Sequence, residues 1–498
     1  MRHQFFLLLL CAMFSCIAAQ NDQKDGSEHS EHSKKFKNEK AIIFKANDGQ
    51  ETDAFEGFIM VSENRNNSQS RNIRINYVRF PAIGTTTGSP IIYLAGGPGG
   101  SGIGTAKWRR FPLFLALREH SDVVALDQRG TGASEKMPAC ESDYSISLTE
   151  KIAATQVTKK YRQAAIACAA NWTKQGADIL GYTTEQNAWD LNDLRKHFKA
   201  SKISLWGISY GSHLALSAIS LFEQHIDKVI IASAEGLDQT VKLPTNTAAY
   251  FERVQQAIQR HPELTQTYGN IVLRMQRVHQ QLQDHPLDLI LKNKDGSVLP
   301  FLFQKHHMQL LTSMMIADPN QYLSMLLSMY RDIANSEYQS VTQMLERGMF
   351  NDENISFQLM SMAMDVASGI TPSRLQKVRE QSKNSLLGDL LNFPMPHLNN
   401  VIKSLDLGDQ FRQPKLSSIP VLLLTGTLDG RTYIEGQTQA VAHLDKVTQV
   451  KVVNAGHNLY EASPEVLNTM QQFLRGEPIA KREISVVPKF IEHLKQSL

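Results

Sequence analysis

A surplus of charge of either sign is missing from this sequence: across 498 residues, 52 Lys and Arg stand against 49 Asp and Glu, a formal net charge of +3. So even a balance leaves no electrostatic footprint for a polyanion, and no nucleic-acid partner is expected. Cysteine is scarce, four in the whole chain. No CxxC or HxxxH spacing accompanies these cysteines, so no metal site is expected. No apolar run reaches the roughly 20 residues that a spanning helix needs, so no stable membrane insertion is expected. What is present is ordinary globular material: apolar residues make up 42% and charged residues 20%, which excludes disorder for most of the length.

The chain starts Met1-Arg2-His3-Gln4, continues with an apolar stretch from Phe5 to Ala19, and turns polar at Gln20. A positive start, a short apolar run and small residues at Ala18-Ala19 read as an export signal, so the mature protein is expected to be secreted or periplasmic. A lipid anchor through Cys16 is the alternative. Cys11 and Cys16 fall within the signal, leaving Cys140 and Cys168, 28 positions apart, as an expected disulfide in an oxidising compartment. Residues 20–40 are rich in Asp, Glu, His, Ser and Lys and read as a flexible linker.

Phe55 to Val61 and Ile73 to Phe80 alternate apolar with polar residues, which predicts an antiparallel edge hairpin. The pattern then changes. Pro90–Leu94, Asp122–Leu126, Lys202–Trp206, Lys228–Ala232 and Pro420–Leu424 are short, nearly continuous apolar runs, as expected of strands buried on both faces of a parallel sheet with helices between them. The regular alternation stops near Leu237 and resumes near Pro420. The intervening stretch is mostly helical, and its middle holds ten of the 17 methionines: Met308, Met314, Met315, Met325, Met329, Met344, Met349, Met360, Met362 and Met364. These suit helix–helix core and, at some positions, an adaptable pocket. The expected organisation is a signal peptide at 1–19, a linker at 20–40, an α/β core at 41–237 and 416–475, an inserted helical cap at 238–415 and a C-terminal extension at 476–498. The expected fold class is α/β, a mostly parallel sheet with helices on both faces.

Gly207-Ile208-Ser209-Tyr210-Gly211 follows an apolar strand and precedes a helix-like segment. A G-x-S-x-G turn needs its glycines because strand and helix crowd a serine held in a strained conformation. With 29 glycines in the chain, the bare pattern would arise by chance in roughly one such chain in ten, so its context carries the weight. A serine hydroxyl needs a base, and the base a carboxylate to orient it. Asp429 follows the strand ending at Leu424, and His457 follows a further predicted strand, Val447 to Val453. Ser209, Asp429 and His457 are the expected catalytic triad, on loops at one edge of the sheet. Backbone N–H groups of Gly97, in Gly96-Gly97-Pro98-Gly99-Gly100, and of Tyr210 are the expected oxyanion hole. No Gly-Lys-Ser/Thr follows the glycine loop, which argues against phosphate binding.

Together with Asp127-Gln128-Arg129-Gly130-Thr131-Gly132-Ala133-Ser134 and Gly426-Thr427-Leu428-Asp429-Gly430-Arg431-Thr432, these motifs resemble the prolyl aminopeptidase and tripeptidyl aminopeptidase family of serine peptidases. The likeness runs from about Phe55 to Glu235 and from Ile419 to Leu474. Ala95 stands where prolyl aminopeptidases usually carry His, closer to the exported tripeptidyl branch. Met362-Ala363-Met364-Asp365-Val366 replaces a Cys-Ala-Glu-Asp-Val of that branch. The resemblance implies the α/β-hydrolase fold, a peptide substrate opened at its free N-terminus, no cofactor, and acidic side chains that bind the substrate amine, here Glu235 and Asp365. The Asp127–Ser134 stretch is expected to be a rigid turn. An esterase with the same triad, and a binding protein without turnover, are the competing readings; the intact triad opposes the second.

Overall fold

The computed structural model describes residues 35–84, 88–348, 350 and 354–497. The expected signal peptide, Cys16, the linker up to Lys34 and Met349 lie outside them. Ten strands form one sheet: β1 (Lys40–Lys45), β2 (Glu51–Ser62), β3 (Asn72–Phe80), β4 (Ile91–Leu94), β5 (Val123–Leu126), β6 (Ile203–Ile208), β7 (Ile226–Ala232), β8 (Val421–Gly426), β9 (Val447–Val453) and β10 (Glu483–Ser485). Their spatial order is β1-β2-β3-β5-β4-β6-β7-β8-β9-β10. The pairs among β1, β2, β3 and β5 are antiparallel, and every pair from β5 to β10 is parallel.

Successive residues of the central strands go to opposite sides. Ile92, Leu94, Val124 and Leu205 join one core with the helices Ala154–Lys174, Thr184–His197 and Tyr210–Phe222. Tyr93, Val123, Ala125 and Trp206 join another with Phe111–Leu117 and Pro464–Arg475. Both faces of each strand are thus removed from water, at about 1.5–3 kcal/mol for each large apolar side chain, and this is why those runs lack the alternation of the hairpin.

The hairpin β2–β3 is not the edge, because β1 lies outside it. Residues 35–40, in the stretch read as linker, are packed: the Glu39 carboxylate accepts two hydrogen bonds of 2.7 Å from Arg79, and Phe36 lies edge-on to Phe198. At the other end β10 extends the sheet beside β9. Phe490 and Leu494 of the last helix, Lys489–Gln496, enter the core formed by the chain between β7 and β8.

That intervening chain builds its core from helices including Thr245–Gln259, Ile271–Asp284, Lys305–Met315 and Pro319–Ala334, and from a hairpin of Leu287–Lys292 with Val298–Phe303. Met308, Met315, Met329 and Met344 are buried there, whereas Met360, Met362 and Met364 of helix Leu359–Ser368 are buried in the core that also holds helices Ala154–Lys174 and Thr184–His197. The methionines are mainly core. No helix among the described residues is long and apolar enough to cross a membrane.

Cys140 and Cys168 form a disulfide with sulfurs 2.02 Å apart. It ties strand Cys140–Ser145, which pairs with Asn354–Phe357, to helix Ala154–Lys174. Closing a loop of 28 residues should stabilise the fold by about 3–4 kcal/mol through the unfolded chain's lost entropy. Denaturation in urea with and without reductant should show that loss, and Cys140→Ala/Cys168→Ala should reproduce it; equal midpoints would mean that the tie is energetically idle.

Candidate active site

The sheet reverses its order between β4 and β6: the chain passes from β4 to β5 on one side, then returns to place β6 on the other. Crevices at such points, beyond the strands' carboxyl ends, are where open α/β sheets bind ligands. Leu94 pairs with Gly207, so the loops that follow, Gly96–Gly100 and Ser209, emerge together. A Cβ on Gly96 would come 3.1 Å from that of Ser209.

Ser209 has φ 55° and ψ −125°, a strained conformation for a residue with a side chain. Its flanking glycines are sterically required. A Cβ on Gly207 would sit 2.6 Å from the Gly211 carbonyl oxygen, and one on Gly211 would collide with the Leu94 carbonyl. The turn therefore lifts Ser209 to the head of helix Tyr210–Phe222, where the Tyr210 N–H has no preceding turn to bond to. Gly97 adopts φ +126°, and its N–H has no hydrogen-bond partner among the described residues. Gly97, Ser209 and His457 line one cavity of about 1200 Å³.

Asp429 and His457 follow β8 and β9, adjacent and in register. His457 Nδ1 lies 3.1 and 3.2 Å from the two Asp429 carboxylate oxygens. The buried carboxylate also accepts hydrogen bonds from the Arg431 and Thr432 N–H groups and the Thr432 hydroxyl, each 2.8 Å, and from Gln437 at 3.3 Å. Burial pushes its pKa up, but the facing His457 and the Thr432 bonds outweigh burial and hold it below the usual carboxylate value. Because Nδ1 is engaged by Asp429, Nε2 is the nitrogen left for any further partner. Ser209 Oγ makes no hydrogen bond to His457 in the structure.

The loop Ile316–Pro319 braces these elements in a way the sequence did not reveal. The Ala317 carbonyl accepts from the His457 N–H at 2.9 Å, and the Ile316 carbonyl from the Gly430 N–H at 3.2 Å. The Asp127–Ser134 segment is the rigid turn expected. Asp127 accepts from Ile103 and Ala133 N–H groups at 3.0 and 2.7 Å, Arg129 grips Asp190 with two bonds of 2.6 and 2.7 Å, and Gln128 donates to the Ala95 carbonyl at 2.9 Å, holding the glycine loop.

Glu235 and Asp365 are close enough to influence each other's charge, but neither lines the cavity. Glu235 is already paired: the Lys242 ammonium binds its carboxylate and donates to the Thr240 carbonyl at 2.9 Å. Lys242 was not singled out from the sequence, since a lysine seven residues on carries no local signal. Asp365 accepts no side-chain hydrogen bond among the described residues. Burial, then the nearby Glu235, push its pKa up to about 7 against the opposing Lys242 and Arg431. Glu235→Gln is therefore expected to strand a buried ammonium and cost about 3 kcal/mol in urea denaturation, with Glu235→Gln/Lys242→Met recovering most of it. An unchanged midpoint in the single variant would show that the pair does not support the fold.

Among the described residues no group of three or more His, Cys, Asp or Glu side chains is arranged to hold a metal ion.

This architecture is the α/β-hydrolase fold, and a family model of that fold matches residues 89–270. Among curated proteins, the chain is similar to serine protease Hip1 of Mycobacterium tuberculosis, 30% identical over 167 residues, which cover 32% of this chain and 31% of that protein. It is also similar to the tripeptidyl aminopeptidase of Streptomyces lividans, 25% identical over 191 residues, covering 36% and 34%. The chain thus spans about a third of the length of the curated relatives it matches. Among solved structures, MGS-M2, an α/β hydrolase enzyme from a Medee basin deep-sea metagenome library, aligns with TM-score 0.37 and 13% identity over 82% of this chain and 97% of that one.

Proposed function

We propose that this chain is an exported serine aminopeptidase that opens peptides at their free N-terminus through an acyl-enzyme intermediate. The observation that carries the reading is the strained Ser209 at the sheet's switch point, sharing one cavity with Gly97 and with a His457 oriented by Asp429. His457 Nε2 takes the Ser209 proton as Oγ attacks the carbonyl carbon, and the N–H groups of Gly97 and Tyr210 hold the oxyanion. Collapse expels the amine, which takes its proton from His457. Water, deprotonated by the same imidazole, then releases the acyl group and restores Ser209. The curated relatives named as a serine protease and a tripeptidyl aminopeptidase support a peptide substrate, and the disulfide supports export.

Asp365 serves as the amine's counter-charge, because Glu235 is already occupied by Lys242. A panel of free and N-acetylated chromogenic peptides beside simple esters tests this reading. Preferential cleavage of free-amine peptides bears it out, whereas turnover of esters alone would make the chain an esterase.

A further inference from the structure

The cavity that Ser209 lines carries a charge imbalance that most of the chain does not. Lys151, Lys305 and Lys383 line it, and Arg431 lines it beside the triad loops. Among the described residues lining the cavity, Asp389 is the single carboxylate. None of the four cations forms an ion pair with a described residue. The whole chain carries a net +3, so as large an imbalance is gathered in this one concavity. His306 and His307 do not add to it near neutrality: burial lowers His306 to about 4 and holds His307 well below its ordinary value. Cations gathered in a concavity attract an anion more strongly than the same groups spread over an open surface, and they steer its approach.

We propose that this cavity selects substrates bearing a carboxylate away from the reacting carbonyl, with Lys305 and Lys383 as its main determinants of specificity. The carboxylate is either an Asp or Glu side chain or the free C-terminus of a short peptide. The inference rests on the hydrolase reading of Ser209 and deepens it. Lys305 opens helix Lys305–Met315 and Lys383 follows helix Pro372–Ser382, so two separate elements contribute cations to the one cavity.

The test compares kcat/KM for peptide pairs differing only by Glu for Gln at one position, and for pairs with free or amidated C-termini, at low and high salt. The acidic member of at least one pair should be favoured about tenfold at low ionic strength, and the preference should shrink in 0.5 M salt, a concentration of roughly a few Å screening length. Lys305→Gln/Lys383→Gln should abolish most of the preference while leaving neutral peptides within about twofold and the melting curve unchanged. The Glu/Gln and acid/amide arms distinguish a side chain from a C-terminus. In parallel, p-nitrophenyl hemisuccinate against p-nitrophenyl butyrate poses the charge question without a peptide bond. If no peptide is cleaved but hemisuccinate is preferred through the lysines, the peptidase reading falls and the anion wall stands. Equal rates within every pair, or lysine variants that slow acidic and neutral substrates alike, would overturn the anion wall.

Discussion

Ser209→Ala should fold normally and lose turnover on the order of a millionfold. The two halves of this expectation come from different features. The hydroxyl makes no hydrogen bond to His457, and alanine keeps the Cβ beside which Gly96 is fitted, so the melting curve should be unchanged. The rate should collapse because His457 and Asp429 have no other nucleophile to activate, and the residue left over would come from oxyanion stabilisation and binding alone. His457→Ala should cost nearly as much, and the double variant little more than either single one, since the groups act as a unit. A fluorophosphonate should label Ser209 in the parent protein. Substantial turnover by the alanine variant, or a label on another serine, would show that the elbow is not the reactive site.

The elbow was legible because its chemistry demands local sequence: the glycines around Ser209 are fixed by backbone atoms a few residues or one strand away, and the central strands advertise burial on both faces. Asp429 and His457 were legible by their position after such strands. The ends of the sheet were not. In β1 only Phe44 is fully buried, so Lys40–Lys45 lacks the apolar stripe that marks an inner strand, and three-residue β10 is too short to show a period. The brace from Ile316 and Ala317 acts through carbonyl oxygens, which every residue possesses. The pairing of Glu235 with Lys242 is tertiary, so the sequence offered Glu235 and Asp365 as equals when one of them is already neutralised. The cationic wall brings together Lys151, Lys305 and Lys383 from three distant stretches, and none of these stands out among the 52 basic residues.

That difference between Glu235 and Asp365 sets how the substrate amine should behave. Acetylating the N-terminus of a peptide that is otherwise cleaved should lower kcat/KM on the order of a thousandfold, because a buried carboxylate left without its cation, and an amide placed where an ammonium belongs, are both costly. The pH dependence separates this from simple steric exclusion. With its pKa pushed up to about 7, Asp365 is protonated below that pH and charged above it. A peptide α-amine is charged below about 8. The complementary pair of charges is therefore present mainly between about 7 and 8, and the ratio of free to acetylated kcat/KM should peak there and fall on the acid side as Asp365 takes up its proton. Taking the ratio removes any limb due to His457, which serves both substrates. Asp365→Asn should erase that acid limb and raise KM for free-amine peptides while leaving simple esters nearly untouched. The same variant should melt higher than the parent, and increasingly so from pH 5 to pH 8: a carboxyl whose folded pKa is raised above its unfolded value costs stability as pH climbs past the unfolded pKa, and that cost is complete above about 7. A flat ratio across pH, or an Asn variant with unaltered KM, would remove Asp365 from amine recognition and leave the triad to act on substrates chosen by the cavity alone.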